Sequence, residues 1–292
     1  MGAGLSGGHA VLAGDGEEKR RAESGLGDIP ESCIASVLMH LDPPEICGVA
    51  RLSRTFGEAA SADCVWESKL PSNYEVLLQR VLAMDQLETT TAESLGKKEI
   101  YKRLSRPNRF DGGAKEVWLD KRSGRICIAI SWKALRITGI DDRRYWNHLP
   151  SQESRFHTIA YLQQMWWLEV DGELEFGFPT GSYSVYFRLH LGKASRRLGR
   201  RVCNLENVHG WDIKPVRFQL LTSTGHHAIS QCYLQDPGNW VHHHVGDFVV
   251  ENPNTLTKIQ FSMTQIDCTH TKGGLCVDSV LVYPTEYSLK DG

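Results

Sequence analysis

The sequence predicts a multidomain α plus all-β chain: a small helical module near the N-terminus, then a larger antiparallel β-sandwich of the jelly-roll kind. Three observations predict it. Apolar residues first recur at helical spacing, at Ile34, Val37, Leu38 and Leu41. Further on the period changes to two, so that Tyr183, Val185, Phe187, Leu189 and Leu191 fall on one face of a strand, as do Val216, Phe218 and Leu220. Turn residues separate these runs and no long helical pattern intervenes, which favours antiparallel pairing.

Composition narrows the functional classes. The 292 residues are 41% hydrophobic and 23% charged, with a formal net charge of −2. Such a balance provides no broad basic field, so nucleic acid is not an expected partner. No apolar run approaches the ~20 residues of a membrane-spanning helix. The start, MGAGLSGGHA, lacks the basic and apolar regions of a secretory signal. Eight cysteines lie far apart, only Cys268 and Cys276 falling within ten residues of each other, and no Asn-x-Ser/Thr sequon occurs. Both facts point to a reducing compartment, cytoplasmic or nuclear.

The elements follow in order. Residues 1–24 are Gly-rich and polar and are expected to be a disordered tail. Gly2 and Ser6 fit the N-myristoylation pattern; a flexible tail is the alternative reading. Residues 25–72 form the helical module. Asp28 is its expected first cap, Pro30 suits a first turn, and Asp42, Pro43 and Pro44 end one helix and start another. That second helix carries Ile46, Val49, Ala50 and Ser53, then Phe56, and a third short helix begins near Ser61 or Asp63 and includes Val65 and Trp66. So small a core leaves an apolar face, which meets either a partner or the rest of the chain. Residues 73–112 are a helical linker. It has a stripe at Tyr74, Leu77, Leu78, Val81 and Leu82, a short helix with Ile100, Tyr101 and Leu104, and a break at Pro107, Gly112 and Gly113. Residues 113–292 are the β unit.

The sequence presents no familiar catalytic or metal-binding framework. His242 and His244 share a strand face, but the third ligand would have to come from His226, His227, Cys268 or His270 through the fold, and that spacing matches no common zinc framework. There is no Gly-x-Ser-x-Gly elbow, no Walker A loop and no Gly-x-Gly-x-x-Gly after a strand. Asp141 and Asp142 are a candidate cation pair or simply turn caps. The chain is expected to carry no cofactor and no metal, and not to be an enzyme.

The segment DDRRYWNHLP combines aromatic faces with forked polar groups, the two kinds of contact that a sugar ring needs. Trp146 suits either ligand contact or core packing. Of Trp166 and Trp167, one should face the core, and Trp211 and Trp240 read as loop anchors.

Two resemblances add to this reading. The stretch IPESCIASVLMHL, LDPPEI, VARLSRTF and the closing VW, within residues 26–70, resembles an F-box. The resemblance implies docking on a Skp-type adaptor, and through it on a cullin, by Ile29, Pro30, Ile34, Leu38, Leu41, Pro43, Ile46, Val49 and Trp66. The segments ALRITGIDDRRYWNHLPSQESRF, AYLQQMWWLEVDGELEF, PTGSYSVYFRLHLG, VHGWDIKPVRFQL and CVDSVLVYP, over residues 115 to 284, resemble the phloem protein 2 family of lectin-like domains. Together they resemble plant F-box proteins of the phloem protein 2 A group. This implies a lectin-like sandwich binding N-acetylglucosamine oligomers or N-glycan cores, with Tyr145, Trp146, Asp142 and Arg144 as the sugar contacts. A second family aromatic stands where this chain has Gly139. The implied function is a substrate-receptor subunit of an SCF-type cullin ubiquitin ligase, recruiting a client that is glycosylated or not. The alternatives are a free lectin and a protein-binding sandwich without sugar affinity.

Overall fold

The computed structural model describes residues 29–82, 95–197 and 200–287. The expected tail, Gly2 and Asp28 lie outside these residues. The helical region comprises α1 (Glu31–Leu38), α2 (Pro43–Val49), α3 (Arg54–Ala59), α4 (Asp63–Glu67), α5 (Tyr74–Leu82) and α6 (Lys97–Leu104). Asp42 opens α2, its N–H donating to Glu45 Oε2 at 2.9 Å. The expected second helix is in fact two. Ser53 Oγ accepts from Phe56 N–H at 3.3 Å and caps α3, so Ser53 marks a break and not a face.

The strands are β1 (Asn108–Phe110), β2 (Lys115–Leu119), β3 (Ile126–Ser131), β4 (Arg136–Ile137), β5 (Trp146–Pro150), β6 (Thr158–Leu162), β7 (Leu168–Phe176), β8 (Gly181–Leu191), β9 (Lys193–Arg197), β10 (Arg200–Asn204), β11 (Val216–Thr222), β12 (His227–Cys232), β13 (Trp240–Val250), β14 (Thr257–Gln265) and β15 (Leu275–Pro284). β1 precedes the expected boundary at 113. Asp111, Gly112 and Gly113 all take positive φ, so the two glycines make a hairpin turn inside the sheet and not a linker between domains.

Two antiparallel sheets pack face to face. One has five strands in the order β12-β11-β14-β7-β4. The other has eight, running β1-β2-β3-β15-β6-β5, with β8 also paired to β15 and β13 paired to β8. β9 and β10 form a separate hairpin. β15 organises the large sheet. Its residues 275–284 pair with β8, while 279–282 pair with β3 and 276–277 with β6. All ten of its residues are buried.

Alternation sets the core. On β7, β11 and β14 every second residue is buried, including Val170, Leu174, Phe218, Leu220, Phe261 and Met263. Phe187 of β8 meets Phe218 and Phe261 across the gap, with ring centroids 5.8 and 6.0 Å apart. On β13, His243 points inward and stacks on Phe218 at 5.8 Å. The outer face of the large sheet carries its own apolar cluster of Trp118, Cys127, Ala129, Phe156, Leu281 and Tyr283.

The helices are joined to the sandwich by a continuous apolar cluster that runs from Ile34 and Leu38 through Trp66, Tyr101 and Leu104 to Leu119 and Phe176. Tyr101 Oη donates to the carbonyls of Asp120 and Lys121, each at 3.3 Å, and Asn73 Nδ2 donates to Gly177 O at 2.7 Å. A Cβ on Gly124, whose φ is +65°, would lie 2.4 Å from Lys69 O. The seam therefore requires glycine there.

Burial, and secondly the neighbouring His242, hold the His243 imidazole down to about 4 from its ordinary 6.5. The unfolded chain takes up that proton near 6.5 and the folded chain only near 4. This contribution to stability is thus intact above 6.5 and lost as pH falls through that window. Urea midpoints measured from pH 7 to 4 should fall, and the fall should be shallower in His243→Gln; equal slopes would refute the assignment.

Candidate functional site

Two surfaces hold the residues that the sequence singled out: the outer side of the helical module and one loop end of the sandwich. In the module, Ile34, Leu38, Pro43, Ile46 and Trp66 are buried in the chain's own core. Trp66 also donates Nε1–H to Ala60 O at 2.7 Å. Ile34, Leu38 and Ile46 are thus turned into the module's own core and not toward a partner, which corrects their expected contact role, whereas Pro43 and Trp66, though mostly covered, border a surface hollow. Leu41 and Val49 are half-buried, while Ile29 and Pro30 stay exposed. Two apolar side chains are left in solvent: Val37, a member of the expected stripe, is 63% exposed, and Leu52, beyond the end of α2, is 73% exposed. α1 buries only part of the expected stripe, because its packing on α3 and α4 covers Ile34, Ala35 and Leu38 and leaves Val37 outside. Close by, Pro43, Pro44, Cys47, Trp66 and Tyr101 line a hollow of about 470 Å³ with a rim of Lys98, Lys102, Arg106 and Lys121.

At the loop end, the segment between β4 and β5 turns tightly. Gly139 takes φ +72°, and a Cβ there would come within 3.3 Å of both Met165 Cε and Tyr145 Cδ2. A side chain here would be strained at this positive φ and would press on both neighbours, so the turn favours glycine at the place where the resemblance implies a second aromatic. Asp142 N–H donates to Gly139 O at 3.0 Å, and the N–H groups of Tyr145 and Trp146 both donate to Asp142 O, at 2.9 and 3.0 Å. Arg144 grips the Asp142 carboxylate through Nε and Nη2, the shortest bond being 2.7 Å. That hydrogen bond holds the carboxyl of Asp142 below its ordinary range. The Arg144 guanidinium lies 5.6 Å from the Tyr145 ring centroid.

Asp142, Arg144 and Tyr145 are therefore brought together on the surface, but Trp146 is not with them. It is 1% exposed and donates Nε1–H to Thr138 O at 3.0 Å. Its role is to fill the core beneath the loop, which corrects the expectation of sugar contact.

The exposed indoles are elsewhere. Trp166 and Trp167 are 53% and 47% exposed, in the loop between β6 and β7, where a strand with one inward indole was expected. Parity could have found half of this: the inward set of β7 is Leu168, Val170, Leu174 and Phe176, so Trp167 falls on the opposite face. The loop is held from below by Lys272, a fully buried cation. Its Nζ donates to the carbonyls of Trp166 at 2.6 Å, and of Gln265 and Asp267 at 3.1 Å each. Burial lowers the Lys272 pKa from its ordinary value. Met165 and Lys272 exchange backbone hydrogen bonds, and Gln163 N–H donates to Tyr145 O at 2.7 Å. Trp166, Trp167 and Tyr145 thus sit on one rigid end, with Ile266 also exposed there.

Trp211 is a buried anchor, donating Nε1–H to Gly273 O at 2.7 Å. His242 and His244 share a face, as expected, with the Tyr186 ring 6.5 and 5.3 Å from them. His270 Nε2 lies 3.1 Å from Gly210 O. Among the described residues, no three His, Cys, Asp or Glu side chains converge as a metal site. No helix among them is long and apolar enough to cross a membrane.

Stability should separate the two neighbours Tyr145 and Trp146. Trp146→Ala is expected to lower the unfolding free energy by about 3–5 kcal/mol. Tyr145→Ala should change it by about 1 kcal/mol or less. Urea titration of both variants checks this, and equal losses would contradict the assignment of Trp146 to the core.

Comparison with known proteins follows from this geometry. The family model described as Phloem protein 2 matches residues 125–284. From Arabidopsis thaliana, the relative named F-box protein PP2-A13 is 58% identical over 287 residues, covering 98% of this chain and 97% of its own. F-box protein PP2-A12 is 58% identical over 268 residues, covering 91% and 89%, and F-box protein PP2-A11 is 57% identical over 270 residues, covering 92% and 91%. Solved structures are remote. A family 35 carbohydrate-binding module from Clostridium thermocellum aligns at 10% identity and TM-score 0.33, over 55% of this chain and 98% of its own, too distant to carry an argument. With a family model over the sandwich and relatives matched from end to end, the chain belongs to the phloem protein 2 family, among plant F-box proteins of its A group.

Proposed function

We propose that this chain is a substrate-receptor subunit of an SCF-type cullin ubiquitin ligase. The helical module, residues 29–70, acts as the F-box, and the loop end of the sandwich holds the client. The observation that carries this reading is the pair of apolar side chains, Val37 and Leu52, left in water by a module that buries Ile34 and Leu38 within its own helices. A solvent-exposed apolar set of this kind is what a partner covers. Ile29, Pro30, Leu41 and Val49 extend it, and the four cations around the neighbouring hollow favour a partner with an acidic segment. A Skp-type adaptor, bridging to a cullin, is the partner that the relatives' names suggest.

At the other end, Trp166, Trp167 and Tyr145 offer flat aromatic area, and the Asp142–Arg144 fork offers paired donors and acceptors. That chemistry suits a glycan on the client, with N-acetylglucosamine units as the expected class. The chain itself performs no bond chemistry in this reading. It raises the local concentration of client at the conjugating enzyme. All eight cysteines are free thiols, in keeping with the cytoplasm or nucleus.

Two measurements test the reading. Val37→Asp with Leu52→Asp should abolish co-purification with a Skp-type adaptor while circular dichroism and melting temperature stay unchanged; adaptor retained at wild-type yield sinks the F-box assignment. On a glycan array, Trp166→Ala with Trp167→Ala should weaken binding at least tenfold and leave adaptor capture intact. Glycan binding without adaptor capture in the wild type would mark a free lectin, and a blank array with a retained client would mark a protein-binding sandwich.

A further inference from the structure

The outer face of the large sheet is partly roofed. Phe156, from the loop between β5 and β6, packs there with Leu281 and Tyr283, and Trp240 donates Nε1–H to Glu153 of the same loop at 2.6 Å. From the other side Tyr287 stacks on Tyr283, with centroids 4.3 Å apart and planes 17° apart. Between these two flaps lies a cleft of about 260 Å³. None of Tyr145, Trp166 and Trp167 lines it.

Its floor contains an unsatisfied group. The Asp278 side chain is 1% exposed. Its Oδ2 accepts from Arg188 Nη1 at 2.6 Å and from Ser279 Oγ at 3.0 Å. Its Oδ1 is buried and has no hydrogen-bond partner among the described residues. Buried carboxylate oxygens are normally satisfied, so an orphan on a residue that lines a cleft calls for a donor from outside the chain.

The lining decides which donor. Arg155 and Arg188 are matched by Glu153 and Asp278, so the formal charges cancel. His242, also in the lining, is held below its ordinary range by burial and then by Arg188. A charged ligand finds no net field here. Both guanidinium groups are braced against indoles, Arg155 at 4.3 Å from the Trp118 centroid and Arg188 at 4.2 Å from that of Trp240. Fixed in this way, they present N–H donors at low entropic cost. The stacked Tyr283 and Tyr287 supply an apolar wall. An orphan acceptor, braced donors and an aromatic wall in a neutral, ring-sized space fit a polyhydroxylated ring. Its hydroxyls both give and take hydrogen bonds, and its C–H face packs on aromatic carbon.

We propose that this cleft is a second ligand site, separate from the loop end, which seats one neutral pyranose ring with a hydroxyl donating to Asp278 Oδ1. The proposal does not rest on the ligase reading or on the loop-end indoles. Saturation-transfer NMR on the full chain tests it, with glucose, galactose, mannose and N-acetylglucosamine as probes and inorganic phosphate and free lysine as charged controls. At least one hexose should bind, Asp278→Asn and Tyr287→Ala should each weaken it at least tenfold, and Trp166→Ala should leave it unchanged. Tyr287→Ala alters a partly exposed wall, so the test stands even where Asp278→Asn disturbs the fold. Absence of any hexose signal overturns the proposal, as does binding of phosphate or lysine in its place. Hexose binding that survives Tyr287→Ala but is lost in Trp166→Ala also overturns it, and would assign the sugar to the loop end.

Discussion

The large sheet depends on the pairing of β15. It is the last strand among the described residues, and it ladders with β8 along one side and with β3 and β6 along the other. Its near-continuous apolar run, LCVDSVLVYP, is what a strand buried on both faces requires. One face meets the five-stranded sheet. The other meets the loop between β5 and β6 and the residues after β15, which together make an outer layer. Asp278 and Ser279 interrupt the apolar run at a register shift, and Arg188 answers the buried charge. The polar cleft thus exists because the central strand breaks its own pattern there.

Much of this architecture was legible in the residues. Period-two alternation placed Phe187 and Phe218 in the core because a pleated strand leaves no other arrangement. The helical stripe placed Ile34 and Leu38 inside for the same kind of reason. What was not legible follows from context that periodicity does not carry. Ser53 reads equally well as a face residue or as a cap, and only its bond to Phe56 N–H decides. Gly112 and Gly113 announce a turn without saying whether it lies within a sheet or between domains.

The candidate sites were less legible, and for a specific physical reason. Sequence patterns report which side chains a segment can bury, whereas a binding surface consists of those it leaves out. The stripe in α1 identified Ile34 and Leu38 of the module's core, but Val37, a member of the same stripe, is exposed. Tyr145 and Trp146 are adjacent and similar in chemistry, yet one is half-exposed and the other fills the core, because the β5 strand begins between them. Trp166 and Trp167 escape the expected strand because Met165 and Lys272 pair first, ending regular structure short of the indoles. The orphaned Asp278 oxygen had no sequence signature at all, since it depends on what Arg188 and Ser279 leave unmet.

The seam between helices and sandwich has a geometric consequence. Tyr101, Asn73 and the close approach at Gly124 join the two parts through hydrogen bonds and shared apolar packing. A flexible tether would let its ends sample a range of separations, and reach would then depend on linker length. Here the distance from Val37 to the Trp166 loop is a property of the fold itself. The separation and the angle between the two ends are therefore set by packing at the seam and not by the length of a linker.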